Sequence, residues 1–399
     1  MASATKTLVL NHIWNTPGAH RKQIAACYSL HPNLVSDAVR ELLDEKWVVE
    51  GGAKTSASGR APIALHVDTQ SRAALVASYS NSSMTCGLVN AAGEVLKSIS
   101  VRHDLRRPVE IVNLAARLTS RLQHEYKGII IGLGVADPGM IDHNKGEVVR
   151  SSSFAGWHHV ELAKMFEAKT SLKTVVTDVT HAHALVQRRL LPESSRTEGT
   201  MLYVDYDAGI LGFVLLTPSG IWRGGGFAGE VGHVMVDPAG EICRCGGRGC
   251  LENKTNSVAL EKHAALLMKK GVNSVLRKQS PPCARDIFSA AKRGDRFART
   301  VVHDVLGELG LYVAVITAMH HPRLLVVGAE TEDAVSVLAD ELKQAVATRL
   351  PAEIASTVSV IGGRPIAPLG LAGAGLMMFE KVIRSMERPN CHKEAQKTQ

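Results

Sequence analysis

One segment of the chain concentrates side chains that ligate metals. From Gly229 it reads GEVGHVMVDPAGEICRCGGRGCLE, placing His233, Cys243, Cys245 and Cys250 within 18 positions. One imidazole and three thiols form the donor set of a closed, tetrahedral, redox-silent zinc centre. The Cys-x-Cys pair brings two sulfurs to one ion over a short turn. The run Gly246-Gly247-Arg248-Gly249 lets the chain fold back so that Cys250 reaches the same ion. Such a centre orders a loop that packing alone would not. The other reading, three free thiols beside an unrelated histidine, gives the cysteines little packing value in so glycine-rich a turn. With all four ligands supplied by protein, the zinc is expected to be structural.

The rest of the chain must position this segment. Its 399 residues exceed one ordinary core and suit two or three domains. Hydrophobic residues make up 45%, aromatics only 4%, and glycine occurs 35 times, a balance that favours an α/β protein over a β-sandwich. A net charge of +8 favours polyanionic partners, because neutralising phosphates releases counterions. Seven cysteines, three of them crowded together, argue against a disulfide framework and for a reducing compartment. The start, MASATKTLVLNHIWNTPG, has no secretory pattern, and no stretch reads as apolar enough to span a bilayer. A cytoplasmic protein is expected.

Residues 1–68 read as a small helical unit. Leu8, Leu10, Ile13 and Trp14 share one face of a first helix that Pro17-Gly18 ends. Arg21 to Tyr28 is a second helix. Pro32 opens a third that runs to about Glu45, with Leu34, Val35, Ala38, Val39, Leu42 and Leu43 turned inward. Strands at Trp47–Glu50 and Ile63–Val67 flank a loop. This order is the winged helix-turn-helix pattern, in which the third helix enters the major groove of DNA. Asn33, Ser36, Asp37 and Arg40 would face the bases, and Arg60 in the loop would enter the minor groove. A helical docking domain without DNA contact is the alternative.

From about residue 70 strands and helices alternate. A hairpin is expected over 75–89, strands over 95–101, 128–135, 172–176, 201–206, 212–217 and 324–328, and helices over 109–126 and 301–320. Two α/β lobes in tandem fit this alternation. The polar tail 388–399 is expected to be disordered.

The zinc segment resembles the signature of the ROK family (repressors, open reading frames and sugar kinases), which pairs G-E-x-G-H with Cys-x-Cys-Gly-x-x-Gly-Cys-x-Glu. GLGVADPGMID from Gly132, Gly156-Trp157 and PRLLVVGAE from Pro322 are similar to further elements of that family. An N-terminal winged helix is the layout of its repressor branch, which includes xylose, glucose and N-acetylglucosamine regulators. The resemblance implies a two-lobed, actin-like (ribonuclease H-like) sugar-kinase fold. Lobe I would span 69–186, with a C-terminal helix at 370–387 packing back, and lobe II, carrying the zinc loop, 187–369. It also implies sugar contacts at Asp178, Glu230, His233 and Glu252. Carboxylates accept paired hydrogen bonds from vicinal hydroxyls. His233 can give one ring nitrogen to zinc and the other to sugar. Read without the resemblance, Asp178 is a solvated loop carboxylate, and the two glutamates support the zinc loop.

Kinases of the family cradle ATP phosphates with Asp-x-Gly-Gly-Thr-Lys and Gly-Thr-Gly-Ile-Gly. The matching stretches here are Ser78-Tyr79-Ser80-Asn81-Ser82-Ser83 and Asp207-Ala208-Gly209-Ile210-Leu211. Replacing glycines hinders backbone approach to phosphate, and Asp207 would repel it. The kinases' Asn-Asp-Ala-Asn is Thr177-Asp178-Val179-Thr180, which keeps the position of the catalytic base and loses a sugar-binding amide. The expectation is a non-enzymatic, sugar-responsive DNA-binding regulator, its partners being operator DNA, a sugar or sugar-phosphate effector, and further copies of the chain as a homodimer or dimer of dimers. An active sugar kinase with a regulatory arm is the alternative.

Overall fold

A computed structural model describes the chain except residues 1, 52–61, 152, 193–194, 196–198, 208–209, 272–273, 279–280, 367–368 and 387–399. The expected minor-groove Arg60 and the tail 388–399 lie outside the described residues.

The N-terminal unit holds α1 (Ala2–Asn15), α2 (Arg21–Cys27), α3 (Pro32–Asp44), β1 (Val48–Glu50) and β2 (Leu65–Val67). The two strands pair antiparallel. His20 and His31 cap α2 and α3 through their ring nitrogens, and Pro32 stands at the start of α3, where its missing N–H costs nothing. Val9, Leu10, Ile13, Ile24, Val35, Val39 and Leu42 form the unit's core. Two expectations need correction. Leu34 is 51% exposed, because the buried row Val35, Val39, Leu42 sets the inner face and position 34 falls beside it. Val9 is fully buried, while Leu8 is only partly so.

Two five-stranded sheets follow. The first contains β3 (Arg72–Tyr79), β4 (Ser83–Asn90), β5 (Val95–Arg102), β6 (Ile129–Asp137) and β10 (Thr174–Asp178), with α4 (Pro108–Glu125) after β5. Between β6 and β10 lie β7 (Met140–Asp142), β8 (Glu147–Arg150), β9 (His158–Val160) and α5 (Leu162–Thr170), the strands making a small sheet of their own. After α6 (Val179–Leu190) the second sheet uses β11 (Met201–Asp207), β12 (Ile210–Thr217), β13 (Gly220–Ile221), β14 (Leu324–Ala329) and β15 (Ser359–Gly362). Its helices are α7 (Leu251–Thr255), α8 (Ser257–Met268), α9 (Ala284–Lys292), α10 (Arg296–His320), α11 (Glu332–Arg349) and α12 (Ala352–Ala355). The last helix, α13 (Leu369–Ser385), returns to pack on α6 and on β3, β4 and β6 of the first sheet.

The sheet orders are β5-β4-β3-β6-β10 and β13-β12-β11-β14-β15. Each begins as an antiparallel meander and then adds two parallel strands on the other side of its first strand. One topology is therefore built twice. Helix α10 starts earlier than its apolar pattern suggests, because Asp295 caps it by accepting the Ala298 N–H at 2.9 Å. By length and composition α10 could cross a membrane, contrary to expectation. It packs against α8, α9 and α11, and half of its apolar window is buried, as in a core helix.

Candidate ligand cleft and metal cluster

Asp178 ends β10 and caps α6, its Oδ1 accepting the His181 N–H at 2.8 Å. It is no solvated loop residue: its side chain is 17% exposed. Its Oδ2 lies 3.0 Å from His143 Nε2 and 2.5 Å from His181 Nδ1. Glu230 and His233 stand on a single 3₁₀ turn opened by Gly229, whose φ is +106°. A Cβ at Gly229 would meet the Phe213 carbonyl oxygen at 2.2 Å, so only glycine allows the turn to seat against β12. Glu252 lies in α7, and its Oε2 accepts the Leu211 N–H at 3.1 Å. Asp178, Glu230, His233 and Glu252 all line one cavity, together with Arg150 and Thr180.

The cavity is rich in carboxylates. Burial, with the charges of Asp178 and Glu252, pushes Glu230 up to about 8. Burial also raises Glu252, against the Leu211 N–H and Arg244. Burial opposes ionisation of Asp178, but His181 and His143 hold it well below the usual carboxylate range. Buried Asp137 at the end of β6 accepts hydrogen bonds from the Tyr79 hydroxyl at 2.6 Å and the Gly139 N–H at 2.7 Å. Burial and Asp178 lift it to about 6 despite those bonds.

Beside the cavity, one ligand atom from each of His233, Cys243, Cys245 and Cys250 lies within 4.8 Å of the others. Cys243 Sγ is 3.8 Å from His233 Nδ1, and Cys245 Sγ is 3.6 Å from Cys250 Sγ. The loop is held by pairing of Met235 with Cys250 and of Ile242 with Arg248. Burial and the neighbouring thiols push Cys250 up to about 12, so three thiolates could share this volume only around a cation. The residues fit a structural zinc ion. His233 turns its other nitrogen, Nε2, toward Glu230 Oε2 at 3.7 Å.

On α3, Asn33, Asp37 and Arg40 are exposed and Ser36 half-buried. Arg40 pairs with Asp37 at 2.5 Å, and the Ser36 hydroxyl donates to the Pro32 carbonyl at 2.9 Å. In the β3–β4 turn, the Ser80 hydroxyl oxygen accepts the N–H groups of Ser82 and Ser83, each at 3.2 Å. Of the matching second loop, Ala208 and Gly209 lie outside the described residues, while Asp207 pairs with Ile210 where β11 turns into β12. Sequence reasoning missed His143 and His181, which the fold delivers to Asp178, and the Tyr79–Asp137 pair. The one available signal was the three-residue spacing of Asp178 and His181 at a strand-to-helix junction.

The description of the ROK family matches residues 81–378, which include the cavity and the cysteine cluster. The chain belongs to the ROK family. Among similar proteins, the xylose repressor of Caldicellulosiruptor bescii is 26% identical over 353 residues, covering 86% of this chain and 87% of the repressor. A glucokinase of Thermotoga maritima is 26% identical over 305 residues, covering 74% of this chain and 94% of the kinase. A solved ROK transcriptional regulator, described as a homologue of the E. coli MLC protein, superposes with a TM-score of 0.80 at 20% identity and covers 97% of both chains. The fold is thus the mixed α/β ROK architecture, shared by regulators and kinases.

Proposed function

We propose that the chain is a sugar-responsive transcriptional regulator whose N-terminal unit is a winged helix-turn-helix. The observation that carries this reading is α6. Its first turn is capped by Asp178 in the cavity, and its last turn holds the N-terminal unit. There Arg189 lies over the Trp14 ring at 4.4 Å and donates to the carbonyls of Trp14 and Ala91, the latter at 2.9 Å. One rigid element therefore touches both a ligand cavity and a helical unit that presents Asn33, Asp37 and Arg40 outward.

In this reading a sugar or sugar phosphate bridges Asp178, Glu230, His233 and Glu252. The zinc cluster holds His233 and the turn that carries Glu230, and lobe closure moves α6. That movement alters the spacing of two α3 helices in a dimer, which must match half-sites on DNA. Leu311, Val315 and Met319 form an exposed apolar stripe at successive turns of α10, and they support self-association. Against kinase activity, the Ser80 hydroxyl already accepts the turn N–H groups that would otherwise face phosphate.

The test selects binding duplexes from a random library with the full chain, then measures affinity by anisotropy across hexoses, pentoses, amino sugars and their phosphates. At least one compound is expected to change DNA affinity about 5-fold or more. Sugar-dependent ATP turnover that disappears in Asp178→Asn would overturn this reading in favour of a kinase.

A further inference from the structure

Asp178 gathers two imidazoles that the sugar reading does not use. We propose that His143, Asp178 and His181 form a second metal site, distinct from the cysteine cluster, for a divalent first-row transition metal with coordination positions open to the ligand cleft.

The geometry carries it. One donor atom from each residue lies within 4.8 Å of the others. Donors bound at about 2 Å from one ion must stand roughly 3 Å apart, as His143 Nε2 does from Asp178 Oδ2 at 3.0 Å. His181 Nδ1 sits 2.5 Å from the same oxygen yet makes no hydrogen bond of acceptable direction, so it points elsewhere. His181 Nε2 and His143 Nδ1 are also buried without a partner. The His143 and His181 side chains are 5% and 6% exposed, and their ring centroids are 4.3 Å apart. Two buried imidazoles this close, tilted 48° to each other, leave polar nitrogens unsatisfied, and an ion held with Asp178 would give the His181 nitrogen beside that carboxylate a partner.

The charge balance also permits a cation. Arg223 near His143 and the N-terminus of α6 oppose it. Asp178 stands directly in the site, and Asp137 and Glu230 lie close enough to feel its charge. Two imidazoles and one carboxylate leave open positions on the ion, unlike the closed Cys3His set. Asp178 and His181 line the ligand cavity, whereas His143 closes the site from a neighbouring cavity. The ion would therefore present its free positions to whatever occupies the cleft.

The test titrates metal-stripped, reduced full-length protein with Co2+, following bound metal by dialysis and absorbance. Thiolate ligands give Co2+ intense near-ultraviolet charge-transfer bands, and imidazole and carboxylate do not. The wild type is expected to bind about two equivalents, one with the thiolate bands and one without. His143→Asn/His181→Gln is expected to keep the thiolate bands in full and lose the other equivalent, and Cys245→Ser to lose the bands and keep the other. A wild type saturating at about one equivalent with full thiolate bands would overturn the proposal. So would a second equivalent that persists in the folded double variant. Because the wild-type stoichiometry decides by itself, a variant that fails to fold leaves the test intact. No sugar enters the measurement, so its outcome is independent of the regulatory reading.

Discussion

His233 faces two ways, Nδ1 toward the sulfurs and Nε2 toward Glu230. If zinc fixes that ring, losing the metal should blur the cleft. Cys245→Ser is expected to remove the cysteine-bound zinc and abolish the effector's influence on DNA affinity, read by metal analysis and anisotropy on one preparation. An effector response that persisted without this zinc would separate the cluster from the cleft. On α3, Arg40→Ala is expected to weaken specific DNA binding by about 1–3 kcal/mol if the guanidinium reads a base edge. Its surface pair with Asp37 is worth at most about 1 kcal/mol, so folding stability should hardly change in urea denaturation. At this scale the cysteine cluster was readable because its ligands are close in sequence. His143 was not, because β8, β9, α5 and β10 separate it from Asp178 and His181 in the chain before the fold joins them.

Elements were easier to read than their arrangement. Pro32 at the start of α3 and the apolar spacing of α4 mark those helices plainly, and the buried strands β6 and β14 are continuous apolar runs. The doubled sheet topology was not legible, because strand order depends on pairing across distant segments and leaves no repeat in side-chain type. Nor was the exposure of Leu34, which depends on where the neighbouring helices sit. The turn from Gly229 to His233 shows how one backbone position controls an element. Gly229→Ala must accept both a left-handed conformation and a Cβ at 2.2 Å from the Phe213 carbonyl. A destabilisation of at least about 1–3 kcal/mol is expected in urea denaturation, with effector binding weakened because Glu230 and His233 share the turn. An unchanged midpoint would mean that β12 yields readily there.

Across the whole molecule, the N-terminal unit is clamped to the ROK lobes by two similar contacts. Arg189 of α6 covers Trp14, and Arg72 of β3 covers Trp47 at 4.3 Å. In both, the lobe supplies the cation and the helical unit the ring. Arg189→Ala removes a cation–π contact of about 0.5–2 kcal/mol and two hydrogen bonds to carbonyls. It is expected to leave effector affinity of the DNA-free protein unchanged and to shrink the effector's influence on DNA binding. Titration calorimetry and anisotropy measure the two. Full coupling in this variant would show that the signal travels by another route.

The position of α6, about 18 Å of helix between Asp178 and the Trp14 contact, also has a consequence that runs backward. Linkage between two sites is symmetric: whatever factor the effector imposes on DNA affinity, bound DNA must impose on effector affinity. A regulator seated on its operator would then measure a different effector concentration from the same molecule free in solution. Its threshold would depend on how many operators compete for it. Effector titrations with and without saturating duplex should differ by the same factor found for DNA, and equal titrations would uncouple the two ends of the helix.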